Sequence, residues 1–368
     1  MKISIIGSRG IPANYGGFET FAEKISECFI ADGHNVLVVG DSKNQKSKSN
    51  DDRLTLINSS YAKQSNPILF WHNSFKIAVN WKADIIICCG IAGVFSIPFF
   101  YNFKGKIYVN PDGLGFKRTK YSIAKKIFLF SQFIFCSLFV KNIICDSKAI
   151  ANFFKDKLFR SRGVFTAEYG ASLENTKYLN PSFFEKIILK YNIKIKKNKY
   201  FLVVARLEPE NNILTIIKAH ILSKNDFPLV IVGAKNTKFY YKKLLKYDNL
   251  PKIHFIGGVY NSKDLTCFRK FSFSYLHGHS VGGTNPSLLE SMAIGNFVIA
   301  HDNKFNRETL SEFGVFFNSV DDLKQIFCSD ILRNSNQILN YKRLVVERIN
   351  NYYSWNLIYK KYLNAISK

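Results

Sequence analysis

Acidic side chains are scarce in this chain: 27 Asp and Glu stand against 52 Lys and Arg in 368 residues, a formal net charge of +25. Paired cysteine spacing is missing too. The seven cysteines are odd in number, and Cys88, Cys89, Cys136 and Cys145 sit inside apolar runs. They read as reduced core residues, not as a secreted disulfide framework or a zinc site. The opening Met1-Lys2-Ile3-Ser4-Ile5-Ile6-Gly7 has too short an apolar stretch for a signal peptide, so the expected location is cytoplasmic. No apolar run reaches the roughly 20 residues of a membrane crossing; Ile127 to Val140 is 14 residues long and reads as a buried helix. RNA-binding aromatic motifs and zinc-finger spacings are absent, which argues against a specific nucleic-acid partner. The positive charge suits an anionic substrate and an anionic membrane surface.

What is present is a chain able to bury full-sized cores, with 47% hydrophobic and 21% charged residues; disorder and collagen are excluded. Its length suggests two domains. Apolar strand candidates recur at Ile3–Ile6, Val36–Val39, Leu54–Ile57, Ile85–Cys88, Ile107–Val109, Ile143–Cys145 and Val164–Ala167. Between the first two, Phe18, Phe21, Ala22, Ile25, Cys28 and Phe29 form a helical stripe. Residues 173–199 lose the alternation and read as a polar linker; Asp41–Arg53 reads as a mobile loop. A second series of strands follows at Tyr200–Val204, Leu229–Val232, Ile253–Ile256, Phe273–Leu276, Phe297–Ala300 and Val315–Phe317. Continuous apolar runs mean strands covered on both faces. The expected fold is therefore α/β, two Rossmann-like doubly wound domains facing across a cleft, at residues 1–175 and 176–351. Trp355, Ile358, Tyr359, Tyr362, Leu363 and Ile366 share one helical face, and this tail must dock somewhere.

Four stretches can carry chemistry. Gly7-Ser8-Arg9-Gly10-Ile11-Pro12, continuing through Gly16-Gly17-Phe18, follows the first strand and opens a helix whose free amides and dipole suit a phosphate. Arg206 lies just past the strand that opens the second series, where a guanidinium can hold a diphosphate or pair with Glu208 or Glu210. The stretch His277-Gly278-His279-Ser280-Val281-Gly282-Gly283-Thr284-Asn285-Pro286 leaves a strand and enters a helix, with Thr284 or Asn285 as N-cap. Glu290, early in that helix, can reach back to accept hydrogen bonds from a ribose diol or simply favour the helix dipole. Asn110-Pro111-Asp112-Gly113 places an acid after a strand, as a site or as an Asx turn. The two histidines lack a third ligand at metal spacing, and no metal is expected.

With Arg206 after its strand and Glu290 in Pro286-Ser287-Leu288-Leu289-Glu290-Ser291-Met292-Ala293, the chain resembles the family-four retaining glycosyltransferases, which have the GT-B fold. The Gly7–Glu19 and His277–Pro286 motifs are similar to the branch of bacterial rhamnosyltransferases that build capsule and O-antigen polysaccharides. The resemblance covers nearly the whole chain, and it implies that the tail at 352–368 crosses back to the first domain. It departs at two places: Gly282 stands where the family usually has a Glu contacting the donor sugar, and Asn211 where it has a diphosphate-binding Lys.

The resemblance implies a hexosyltransferase moving rhamnose from a nucleotide-diphosphate sugar to a saccharide or lipid-diphosphate-saccharide acceptor, with retention, peripheral at the inner face of the plasma membrane. Arg206 and Asp112 would be the catalytic residues. Gly16, Gly17, His279, Val281, Gly282, Gly283, Thr284 and Glu290 would bind the substrates, and no cofactor or metal would be needed. A nucleotide-sugar epimerase of similar two-domain architecture is the alternative. A nicotinamide-dependent oxidoreductase would need the G-x-G-x-x-G fingerprint, which is missing.

Overall fold

A computed structural model describes residues 1–13, 16–43, 51–172, 179–234 and 238–367. The chain forms two compact units. One comprises Met1–Lys117, Tyr121–Gly170 and Trp355–Lys368; the other comprises Arg118–Lys120 and Ala171–Ser354.

Among the described residues, the first unit holds seven strands: β1 (Lys2–Ile6), β2 (Asn35–Gly40), β3 (Leu54–Asn58), β4 (Ile85–Cys89), β5 (Lys106–Asn110), β6 (Asn142–Cys145) and β7 (Val164–Thr166). They form one parallel sheet in the order β3-β2-β1-β4-β5-β6-β7. Ile3, Ile5, Ile6, Val36, Leu37 and Val39 are fully buried, as expected where helices cover both faces of a parallel sheet. The first helix, Gly17–Ala31, buries Phe21, Ala22, Ile25 and Phe29, the stripe its spacing predicts.

The second unit repeats the plan with β8 (Phe201–Val204), β9 (Leu229–Val232), β10 (Ile253–Gly257), β11 (Ser274–His277), β12 (Phe297–His301) and β13 (Val315–Phe317). Its parallel order is β10-β9-β8-β11-β12-β13. In each sheet the strand order reverses beside the first strand, at β1/β4 and at β8/β11. Crevices outside the strand carboxyl ends at such reversals are where doubly wound sheets bind ligands. The Gly7 loop leaves β1, the Arg206 loop leaves β8 and the His277 loop leaves β11, so three of the four motifs sit at a reversal.

Two expectations change. The run Ile127–Val140 belongs to a helix, Ile123–Phe139, that is not buried: Ile127 is 64% exposed, Leu138 68% and Phe139 59%. An all-round apolar run has no polar stripe to mark its solvent face, so periodicity could not reveal the exposure. The linker contains a helix, Pro181–Lys190, capped by Asn180, started by Pro181 and anchored by buried Phe184 and Ile187. Within the expected loop Asp41–Arg53, residues 44–50 lie outside the described residues, as do Asn14 and Tyr15 of the glycine loop.

The terminal helix Trp355–Ile366 packs into the first unit. Tyr362 meets Phe21 and Tyr359 meets Phe29, at ring-centroid distances of 5.0 and 5.2 Å. Tyr108 donates a hydrogen bond to the carbonyl of Ala365 at 3.1 Å, and Lys361 pairs with the buried Glu168.

Candidate functional site

In the second unit, the loops after β8, β11 and β12 are stitched together. The backbone amide and hydroxyl of Ser280 both donate to the Glu210 carbonyl at 2.9 Å. Asn212 donates to the carbonyl of Gly278 at 2.8 Å. A Cβ on Gly278 would lie 2.1 Å from the Asn211 carbonyl oxygen, so only glycine permits this approach. From the β12 side, Asn303 and Asn306 each donate to the carbonyl of His279 at 2.9 Å. Asn211 donates to the Arg206 carbonyl at 2.6 Å and so closes the Arg206 loop upon itself. Sequence reading missed Asn303 and Asn306, whose significance depends on which loop they face.

The charges at this edge are concentrated. Arg206 projects with its side chain 47% exposed and its guanidinium 3.9 Å from Glu208. Glu208 and Glu210 are buried, and their balancing cations come from far away in sequence: Lys120 lies 2.8 Å from Glu208 and 3.7 Å from Glu210, and Arg118 lies 3.9 Å from Glu210. Burial pushes the Glu208 carboxyl up, but the Lys120 hydrogen bond and the charges of Arg206 and Lys120 outweigh it and hold the acid below its usual range. Three cations thus surround two carboxylates, and Arg206 keeps its outer face free for an anion. Nothing near Arg118 or Lys120 in the sequence marks them for this place.

His277 and His279 stack at 4.4 Å between ring centroids. Burial, then the Arg206 and Arg118 charges, push His279 down to about 3, and burial drives His277 well down. Both rings are therefore neutral at ordinary pH. Among the described residues no group of three His, Cys, Asp or Glu converges to hold a metal ion.

The helix Pro286–Ala293 begins here, with Asn285 as N-cap accepting from the Ser287 amide at 2.9 Å. Thr284 is buried, while Val281, Gly282 and Gly283 are partly exposed, and a Cβ on Gly282 would meet nothing. Open space therefore borders the loop where the family resemblance places a glutamate. Glu290 is 42% exposed and lies 2.5 Å from the buried guanidinium of Arg269, which also donates to the Ser287 hydroxyl at 3.2 Å. Arg269 fixes this carboxylate without removing it from solvent. It too escaped sequence reading, being 21 residues away in a helix of ordinary pattern.

In the first unit, Gly7 takes φ +88°, and a Cβ there would strike the Trp71 ring at 2.1 Å. Gly16, at φ +101°, caps the helix that Gly17 begins, with no side-chain hydrogen bond. The Glu19 carboxylate accepts from the Arg9 amide at 2.8 Å. Asp112 is exposed after β5 at φ +61°, its amide bonded to Asn110 Oδ1 at 3.0 Å, so the turn is an Asx turn. Lys63, unmarked by any motif, donates to the Gly7 carbonyl, and burial lowers its pKa against the opposing pull of Glu19 and Asp112. A separate concavity of about 650 Å³, lined by residues including Met1, Asp84 and Lys106, lies at the opposite, amino-terminal end of this sheet and holds none of the motif residues.

Residues 185–326 match the family model described as glycosyl transferases group 1, and residues 1–172 match one described as a domain of unknown function (DUF1972). No curated protein sequence matches the chain. Solved structures are similar over its whole length. A glycosyltransferase from Rickettsia africae is 18% identical with a TM-score of 0.73, over 100% of this chain and 98% of that one. Sucrose-phosphate synthase from Thermosynechococcus elongatus is 13% identical at TM-score 0.77, over 99% and 97%. HepE from Anabaena, solved in complex with UDP, is 14% identical at TM-score 0.70, over 100% of both chains. The two parallel-sheet units have the fold of GT-B glycosyltransferases, and the second carries a glycosyltransferase group 1 domain.

Proposed function

We propose that this chain, with its glycosyltransferase group 1 domain, moves a sugar, rhamnose in our reading, from a nucleotide-diphosphate donor to a saccharide carried on a lipid diphosphate or on a cell-surface polymer, retaining the anomeric configuration. The observation that carries this reading is Arg206: a half-exposed guanidinium at the carboxyl end of β8, backed by Lys120 and Arg118, in the same unit as the β11 loop, which leaves open space at Gly282. The charge that grows on a departing diphosphate is stabilised by cations and amides already in place, commonly the largest single contribution to such a transfer. Glu290, oriented by Arg269, accepts hydrogen bonds from the ribose hydroxyls. His279, being neutral, contributes a ring surface and backbone and adds no charge. Asp112 and the Gly16–Gly17 turn belong to the acceptor side. HepE, a structural neighbour, was solved with UDP-glucose, which supports a nucleoside-diphosphate donor here; no comparison points to an epimerase. The working place is the cytoplasm, peripheral at the inner face of the plasma membrane.

Arg206→Ala should lower turnover by about 100-fold or more, the scale of a lost transition-state donor, with an unchanged melting temperature. Glu290→Ala should weaken nucleoside-diphosphate binding in calorimetric titration. Near-wild-type rates and affinities in these two variants would remove both residues from the site. Sugar interconversion without any acceptor would favour the epimerase instead.

A further inference from the structure

The helix Ile123–Phe139 is inverted with respect to an ordinary surface helix. Gln132 and Ser137 are among the side chains it buries. Toward solvent it presents Ile123, Ile127, Ile134 and Leu138, exposed by 78%, 64%, 40% and 68%. At 100° per residue these four positions fall within about 60° of one another on the helix circumference. They make an apolar stripe about 22 Å long, bordered midway by Ser131. Phe139, 59% exposed, extends the carboxyl-terminal end. Arg160 binds the carbonyls of Ser137, Val140 and Lys141 there, which brings its neighbour Phe159, 90% exposed, beside the same end. Exposed apolar area of this extent is uncommon on an unpartnered surface.

Charge selects what covers it. From Gly113 to Cys145 the chain has no Asp or Glu. Lys117, Lys125 and Lys141 are exposed along this segment, and no carboxylate pairs with them among the described residues. The Lys125 ammonium lies 5.0 Å over the half-exposed Phe128 ring. An apolar stripe with exposed lysines before and beyond it, and a further exposed lysine around its first turn, matches the boundary between acyl chains and anionic headgroups. Among the described residues no helix is long and apolar enough to cross a membrane, so the helix would lie in the interface.

We infer that the exposed face of Ile123–Phe139, with Phe159, docks the first unit onto an anionic lipid bilayer. In purpose this rests on the proposed transfer to a lipid-borne acceptor, while its geometry rests on this surface alone. The test is cosedimentation of the full chain with phosphatidylcholine vesicles and with vesicles that also contain phosphatidylglycerol. Wild-type protein should partition onto the anionic vesicles and be released by added salt. The double variant Ile127→Glu/Leu138→Glu should lose about tenfold or more of that partitioning. Because its sites are exposed, its melting temperature and nucleoside-diphosphate affinity should stay unchanged. Phe159→Glu, outside the helix, should weaken partitioning independently and so covers the case in which the double variant misfolds.

Absence of wild-type binding, or equal binding by the variants, would overturn the inference. So would a wild-type dimer in gel filtration that Ile127→Glu converts to a monomer, because a second copy would then own this face. Vesicle binding without nucleotide affinity would instead sink the transferase reading and leave this surface standing.

Discussion

His279 stays uncharged because burial and the guanidinium groups of Arg206 and Arg118 all oppose protonation, taking its pKa down to about 3. In an unfolded chain the same ring titrates near about 6.5. As the pH falls through that window, the unfolded state takes up a proton that the folded state refuses. Stability is therefore intact above about pH 6.5 and falls by up to about 1.4 kcal/mol per pH unit below it. His279→Gln should melt at more similar temperatures at about pH 7 and about pH 5 than wild type does. An unchanged difference would place the acid sensitivity elsewhere, His277 being the next ring to test. At this scale Arg206, Glu290 and the histidines were legible, because each stands at a fixed step from a strand or a helix start. Their partners were not: Lys120 meets Glu208 across 88 residues of sequence and Arg269 meets Glu290 across 21, and nothing local records either pairing.

At the level of elements, strand and helix placement follows from period and punctuation. The Asn285 cap and Pro286 start were written in the chain, and the structure decides for Asn285 over Thr284 by its bond to the Ser287 amide. Gly278 was visible as a loop residue, but its purpose was not, since the obstacle to a side chain is the Asn211 carbonyl on another loop. Gly278→Ala must push these loops apart. It should weaken nucleoside-diphosphate binding severalfold while secondary structure by circular dichroism stays as in wild type; undiminished affinity would show that the stitched loops do not shape the site. The helix Ile123–Phe139 marks the limit of element-level reading. Its length and apolarity were plain, whereas its exposed face depends on what the rest of the unit leaves uncovered.

Over the whole molecule, the terminal helix belongs to the unit built from the start of the chain. Ile358 and Tyr362 are fully buried there, and Asn110 donates to the Tyr362 hydroxyl at 3.3 Å. Ile358→Ala should cost about 2–5 kcal/mol through lost burial and the cavity left behind, read as a lowered denaturant midpoint. A loss under about 1 kcal/mol would mean that the tail is only loosely held.

Taken alone, the order of residues determined the class of fold, the two series of parallel strands, the strand-end loops and the positions of Arg206 and Glu290, because these depend on local periodicity and on short-range turn and cap chemistry. Only the folded chain decided that Lys120 and Arg118 balance Glu208 and Glu210, that Arg269 orients Glu290, and that a thoroughly apolar helix is left facing solvent. Each of these outcomes is set by which surfaces meet at long range, and neither hydrophobic pattern nor spacing encodes that locally.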